Sequence, residues 1–286
     1  MRTIEILDFY SALGRPLTLI EIARLGGLTP GATQNELESL AAAGKIKGED
    51  GFFWSAGQAL GAAARRRQDL VLDRKWRKLE RLARFFRFVP FVQVVFASGS
   101  MGIGNVKDSS DFDVLVGVRP GRLFTTRYLL NLAFGLRGKR RLDDQSGSSP
   151  DKMCFNHILA REPDAALFDH SRTHEPYASM VPIFGTAADV GDFIRALGPE
   201  EKAGLKSADL RFRPAGKSFA ARCGEWLLGG RFGGLLEEKI VAPFAHRRLA
   251  AYTAGKPSSG RVIVSDTELE FHFKLRYERP DGRQEI

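Results

Sequence analysis

Cysteine is scarce in this chain, with only Cys154 and Cys223 among 286 residues. That count excludes a disulfide framework and a cysteine-based zinc site, and it makes a reducing cytoplasm the expected compartment. Long apolar runs are missing as well. The longest, Phe91 to Ala97, is interrupted by Gln93 and falls far short of the roughly 18 apolar residues that span a bilayer. No membrane partner is therefore expected. The first ten residues, MRTIEILDFY, mix acids with amphipathic spacing where a signal peptide would carry a plain apolar run. What is present is the make-up of a folded globular chain, 43% hydrophobic, 27% charged and 10% aromatic. The length suits one large domain or two to three small ones.

Acids are in deficit, 34 against 43 Lys and Arg, for a net charge of +9. Placement matters more than the total. Between Arg65 and Arg87 stand ten basic residues (Arg65, Arg66, Arg67, Arg74, Lys75, Arg77, Lys78, Arg81, Arg84 and Arg87) against Asp69, Asp73 and Glu80, a local net charge of +7. A polyanionic partner such as RNA or DNA would account for this run. A solvated helix face accounts for it equally well.

Residues 1–56 read as three helices and a hairpin. Ile4, Ile6, Leu7, Tyr10 and Leu13 have near-helical spacing, and Gly14 with Pro16 stops that segment. A second helix fits Leu19 to Leu25, N-capped by Thr18 and stopped at Gly26-Gly27. Pro30 opens a third through Ala43. Lys45 to Ser55 forms two short strands around Glu49-Asp50-Gly51. This order resembles a winged helix-turn-helix, which implies either nucleic-acid binding or a structural, dimerising role.

A long helix is expected from Gly61 to Phe88, with Leu72, Trp76, Leu79, Ala83 and Phe86 on one stripe and Pro90 ending it. Phe91–Ala97, Asp111–Val118 and Met153–Leu159 read as strands, and Leu123–Leu136 as a helix. Arg137–Pro150 reads as a polar loop whose arginines could meet a triphosphate or nucleic acid, or simply solvent. From Ala187 the chain is expected to be mainly helical, near Val190–Leu197, Phe219–Leu228 and Leu235–Ala254, the last interrupted at Pro243. A tail hairpin fits Arg261–Tyr277, where His272 has no assigned role.

The segment that carries chemistry is Ser98 to Val116, SGSMGIGNVKDSSDFDVLV. A buried strand leads into Gly99-Ser100, and ten residues later Asp111-Phe112-Asp113 opens another apolar strand. Alternation along a strand sends Asp111 and Asp113 to one face, roughly 7 Å apart. Two carboxylates so placed can converge on Mg2+. Gly99 lets the backbone approach a phosphate, and Ser100 can hold its oxygens. A surface loop whose aspartates cap a turn is the plainer alternative, and it explains poorly why two acids open an apolar strand.

This pattern resembles the signature of the DNA polymerase beta-like nucleotidyltransferase superfamily. The resemblance implies an α/β fold with a small mixed-sheet nucleotidyltransferase core, preceded by the winged-helix unit and followed by a helical C-terminal region. The corresponding divisions are 1–56, 57–185 and 186–286. It also implies transfer of a nucleoside monophosphate from a nucleoside triphosphate to an acceptor. Asp111 and Asp113 would be the catalytic, Mg2+-binding residues, with Gly99 and Ser100 binding the nucleotide. The superfamily usually adds a third carboxylate from a later strand, and here the chain departs from it. Lys152–Leu159 contains no acid, which leaves Asn156 or His157 in that place. Asp143, Asp144, Asp151, Asp164 and Asp169 fall in apparent loops. A nucleic-acid-binding regulator with an inactive nucleotidyltransferase core is therefore the alternative function, and an interaction module for an acidic protein is a third. A metal site built from His157, His170 and His174 is less well specified than the carboxylate pair, and Cys154 reads as a core thiol.

Overall fold

The computed structural model describes residues 2–141, 149–160, 179–196, 211–254 and 261–272. His170, His174, Asp143, Asp144, Asp164 and Asp169 lie outside them. The architecture is mixed α/β, in two compact units. Of the described residues, one comprises 2–74 and 104–107, the other those of 75–103 and 108–272. The division falls inside the long helix, at Arg74/Lys75.

In the first unit, α1 (Thr3–Ala12), β1 (Leu17–Thr18), α2 (Leu19–Gly26), α3 (Pro30–Ala42), β2 (Ile46–Glu49) and β3 (Phe52–Ser55) follow in order. Local chemistry sets most boundaries. Thr18 and Glu21 form a reciprocal capping box at α2, and Gly27 ends it in the left-handed region at φ 65°. Thr29 caps α3, with Pro30 in its first turn. Asp50 (φ 51°) and Gly51 (φ 78°) turn the β2–β3 hairpin. The small antiparallel sheet runs β1-β3-β2 over a core of Ile6, Leu7, Leu17, Ile22, Leu37 and Trp54.

A buried ion network closes this unit. Arg65, near the start of α4 (Ala62–Ala83), clamps both Glu21 oxygens at 2.8 and 2.9 Å and reaches Asp69 Oδ1 at 2.9 Å. Arg15 donates to the Gly104 carbonyl at 2.5 Å and to Glu21 at 3.2 Å. One of the ten helix cations is thus buried and committed.

The second unit is built on a six-stranded sheet, order β7-β4-β5-β6-β9-β8, in which only the β5–β6 neighbours are parallel. Its strands are β4 (Val92–Ala97), β5 (Phe112–Val118), β6 (Met153–Leu159), β7 (Val181–Phe184), β8 (Val262–Val264) and β9 (Glu268–Phe271). The helices are α5 (Gly99–Ile103), α6 (Leu123–Gly135), α7 (Ala187–Ala196), α8 (Phe219–Gly229), α9 (Arg231–Leu236) and α10 (Ala242–Thr253). Val94, Phe96, Leu115 and Leu159 meet Val190, Phe193 and Ile194 of α7 in one core cluster. Phe86 packs against Phe134, Phe155 and Phe184 in another.

Four sequence expectations change. The α-helix stops at Ala83 and continues to Phe88 as a 3-10 segment. Strand β4 starts one residue late because buried Phe91 sits at φ 68°. The interruption near Pro243 is a π-helical stretch, Glu237–Val241, inside a run of helix that continues into α10, with the proline shortly after it. The tail hairpin is an integral part of the main sheet, with β9 pairing against β6. The region after 185 therefore also supplies strands to the core.

Candidate metal centre

Asp111 immediately precedes β5 and Asp113 lies within it, and both are buried, at 8% and 4% exposure. The parallel register sets Asp113 beside Cys154 of β6. Oxygens of the two carboxylates and the Cys154 sulfur all lie within 4.8 Å of one another. The carboxylates suit a hard cation such as Mg2+, and the thiol does not.

Gly99 completes this wall. It adopts φ +56°, and a Cβ there would stand 2.7 Å from Asp113 Oδ2. Any side chain at 99 would collide with the carboxylate, so the glycine is demanded both by conformation and by proximity. The Ser98 N–H donates to the Asp113 carbonyl at 3.0 Å, and Ser100 follows, half-buried, in α5. Gly99 and Asp113 are therefore in direct apposition, with Asp111 beside Asp113.

Two basic residues of α4 hold the approach to the aspartates. Lys75, almost wholly buried, donates to the Ser110 carbonyl at 2.7 Å and pairs with Asp151 at 2.9 Å. Lys78 also binds Asp151, which stands just before β6 at φ 60°. These cations fix the segments leading into β5 and β6.

Asn156, and not His157, is the β6 amide or imidazole that reaches Asp113. Asn156 Nδ2 lies 3.3 Å from Asp113 Oδ1, while its own Oδ1 is buried without a hydrogen-bond partner. The amide thus turns its nitrogen to Asp113, and its unpartnered oxygen is the atom it has left for a further ligand. Alternation turns His157 the other way, to Glu268 Oε1 at 3.2 Å.

Comparison with known proteins finds no matching family model, no matching curated protein and no matching solved structure. Geometry alone must carry the reading.

Sequence reasoning missed the β9 residues. Asn156 Nδ2 is 3.1 Å from His272 Nε2, and His272 Nδ1 is 2.7 Å from Glu270. Arg261 Nε pairs with Glu270 at 2.9 Å. Burial alone would raise the Glu270 carboxyl, but the His272 hydrogen bond and the His157, His272 and Arg261 charges hold it below the usual value. His157, Glu268 and Glu270 bring ligand-type atoms within 4.8 Å of one another, but Arg261 already supplies a cation to both glutamates. The signal for β9 was available in Glu268-Leu269-Glu270-Phe271-His272, a strict polar/apolar alternation.

Beside the carboxylates opens a cavity of about 260 Å3 between α6, β6, α10 and β9. Arg127, Arg140, Arg141 and Arg248 line it, with Tyr128 and Tyr252 among its walls, and no Asp or Glu does so among the described residues. Arg141 forms an ion pair with Asp111, linking cavity to carboxylates. Arg127 Nη1 is buried without a hydrogen-bond partner, and its guanidinium lies 4.8 Å from the Phe271 ring centroid. Burial, and then the charge of Arg140, push Arg127 down to about 10. Arg140 is lowered likewise, by burial and then by Arg248.

Proposed function

We propose that this chain is an Mg2+-dependent nucleotidyltransferase, similar in its site to the DNA polymerase beta-like superfamily, with a winged-helix-like unit at its N-terminus. The observation that carries the reading is the fit of Gly99 against Asp113 at the head of the Asp111-Phe112-Asp113 strand. A glycine packed against one of two neighbouring carboxylates suits the close approach of a metal-bound phosphate chain.

Asp111, Asp113 and the Asn156 amide oxygen would hold Mg2+, which when bound supplies positive charge to the phosphate oxygens. Gly99 and Ser100 would position the triphosphate. An acceptor oxygen then attacks the α-phosphorus, the bond to the bridging oxygen breaks, and pyrophosphate leaves. Arg141 must yield part of its hold on Asp111 as the cation enters.

Asn156 also supports a second reading. With an amide in place of a third acid, the core could bind nucleotide without turnover and serve a nucleic-acid-binding regulator. One paired experiment separates the readings and tests both. Nucleotide affinity with and without Mg2+, thermal stability, and release of pyrophosphate from labelled nucleoside triphosphates are measured for the wild type, Asp111→Asn and Asp113→Asn. Each substitution should weaken Mg2+-dependent binding at least tenfold. Unfolding should shift little or upward for Asp113→Asn, because a repulsion is relieved. Wild-type-like Mg2+-dependent affinity in both variants would sink the metal assignment, and binding without turnover would favour the regulator.

A further inference from the structure

The strand order separates Gly99 and Ser100 from the arginine cavity. The first two follow β4 on one side of β5, and the cavity lies on the other side, across β6 and β9. A two-substrate transfer needs a separate place for each substrate. The cavity is small, below the roughly 300–1,000 Å3 of most drug-sized ligand sites, so it suits a compact molecule and not a polynucleotide. Its chemistry is one-sided, since among the described residues arginines line it without an opposing acid and Arg127 Nη1 is buried and unpaired. Guanidinium groups in this setting match phosphate oxygens.

We infer that the cavity holds the acceptor of the proposed transfer, a small phosphate-bearing molecule gripped by Arg127, Arg140 and Arg248, and that its ionised phosphate oxygen is the nucleophile. This rests on the nucleotidyltransferase reading. It also gives the neutral Asn156 a reason. A hydroxyl acceptor must lose a proton to a base, whereas a phosphate oxygen is already ionised near pH 7. That oxygen attacks the α-phosphorus of the nucleotide and a new P–O–P linkage forms. The old bond from the α-phosphorus to the bridging oxygen breaks, and pyrophosphate departs with its electron pair. No proton moves at the reacting oxygen, so no third carboxylate is required.

The test uses the full chain and two calorimetric titrations. One follows inorganic phosphate at fixed ionic strength, the other Mg2+ with a mixture of the four ribonucleoside triphosphates. Phosphate binding should be saturable and fall at least tenfold in Arg127→Gln and in Arg248→Gln, yet be unchanged in Asp113→Asn. Arg248 is exposed, so its variant keeps the measurement interpretable where Arg127→Gln disturbs the packing on Phe271. Nucleotide binding should fall in Asp113→Asn, persist in Arg248→Gln and be unaffected by phosphate. Absent phosphate binding, or binding indifferent to both arginine variants, overturns the inference. Competition between phosphate and nucleotide, with both weakened by Arg248→Gln, overturns the acceptor assignment and gives the cavity to the nucleotide's own tail. Nucleotide binding indifferent to Asp113→Asn overturns the transferase reading, and the acceptor role falls with it, even if the phosphate site itself stands.

Discussion

Glu21 shows how one side chain can organise a unit. Burial would raise its carboxyl, but the Arg65 hydrogen bonds and charge, then the Thr18 N–H and Arg15, bring it from 4.5 down to about 2. A carboxyl more acidic folded than unfolded stabilises fully above pH 4.5, and this contribution is lost as pH falls towards 2. Glu21→Gln should therefore lower stability at pH 7 by up to about 3 kcal/mol. The difference from wild type should shrink steadily below pH 4.5, as read by urea denaturation at stepped pH. A gap that stays constant down to pH 2.5 would mean the carboxylate is not what stabilises this contact. Thr18 was legible as a cap from local sequence. Glu21's partnership with Arg65 was not, because the pair is 44 residues apart and no local pattern announces it.

Helix α4 carries its charge in two ways. Arg65 and Lys75 are buried, and Lys78 and Arg66 pair with Asp151 and Asp50, so these four serve the fold. Arg77, Arg81 and Arg84 are exposed. Any RNA or DNA binding by this chain should therefore respond to neutralising those three. The salt slope is expected to drop by roughly 2 to 3, at about 0.7 to 0.9 per phosphate contact. Lys75→Met should instead cost about 2 kcal/mol of stability, the scale of a lost charged hydrogen bond, and leave the slope unchanged. Equal slopes for the arginine variant and the wild type would remove this helix from the nucleic-acid surface. Composition could count these charges but not sort them, since Lys75 and Arg77 differ only in which way the helix turns them. The same limit applied to β9. Its alternation marked a strand, but only its pairing with β6 shows that His272 reaches Asn156 while holding Glu270.

At the scale of the whole molecule, the carboxylates, Gly99, Ser100 and the arginine cavity all belong to the second unit. The sequence motif was legible because Gly-Ser and Asp-x-Asp share one short stretch, Gly99 to Asp113, whereas the cavity draws on α6, β6, α10 and β9 and left no contiguous trace. Residues 104–107 are the exception to this partition. They connect α5 to β5 but cluster with the first unit, where Arg15 binds the Gly104 carbonyl and Asn105 donates to the Leu13 carbonyl at 2.8 Å. Ligand binding should reveal the partition directly. Mg2+ and nucleotide at about 100 times the dissociation constant stabilise whatever binds them by about 2.7 kcal/mol. Amide hydrogen exchange should therefore slow by up to about a hundredfold in β4, β5 and β6, while Ile46–Ser55 of the first unit exchanges at its unliganded rate. Slowing at Gly104–Lys107 without slowing at Ile46–Ser55 would mean that the connection responds to the site and not to the unit it packs in. Uniform slowing across both units would show that they open together, and the partition would not describe how the protein unfolds.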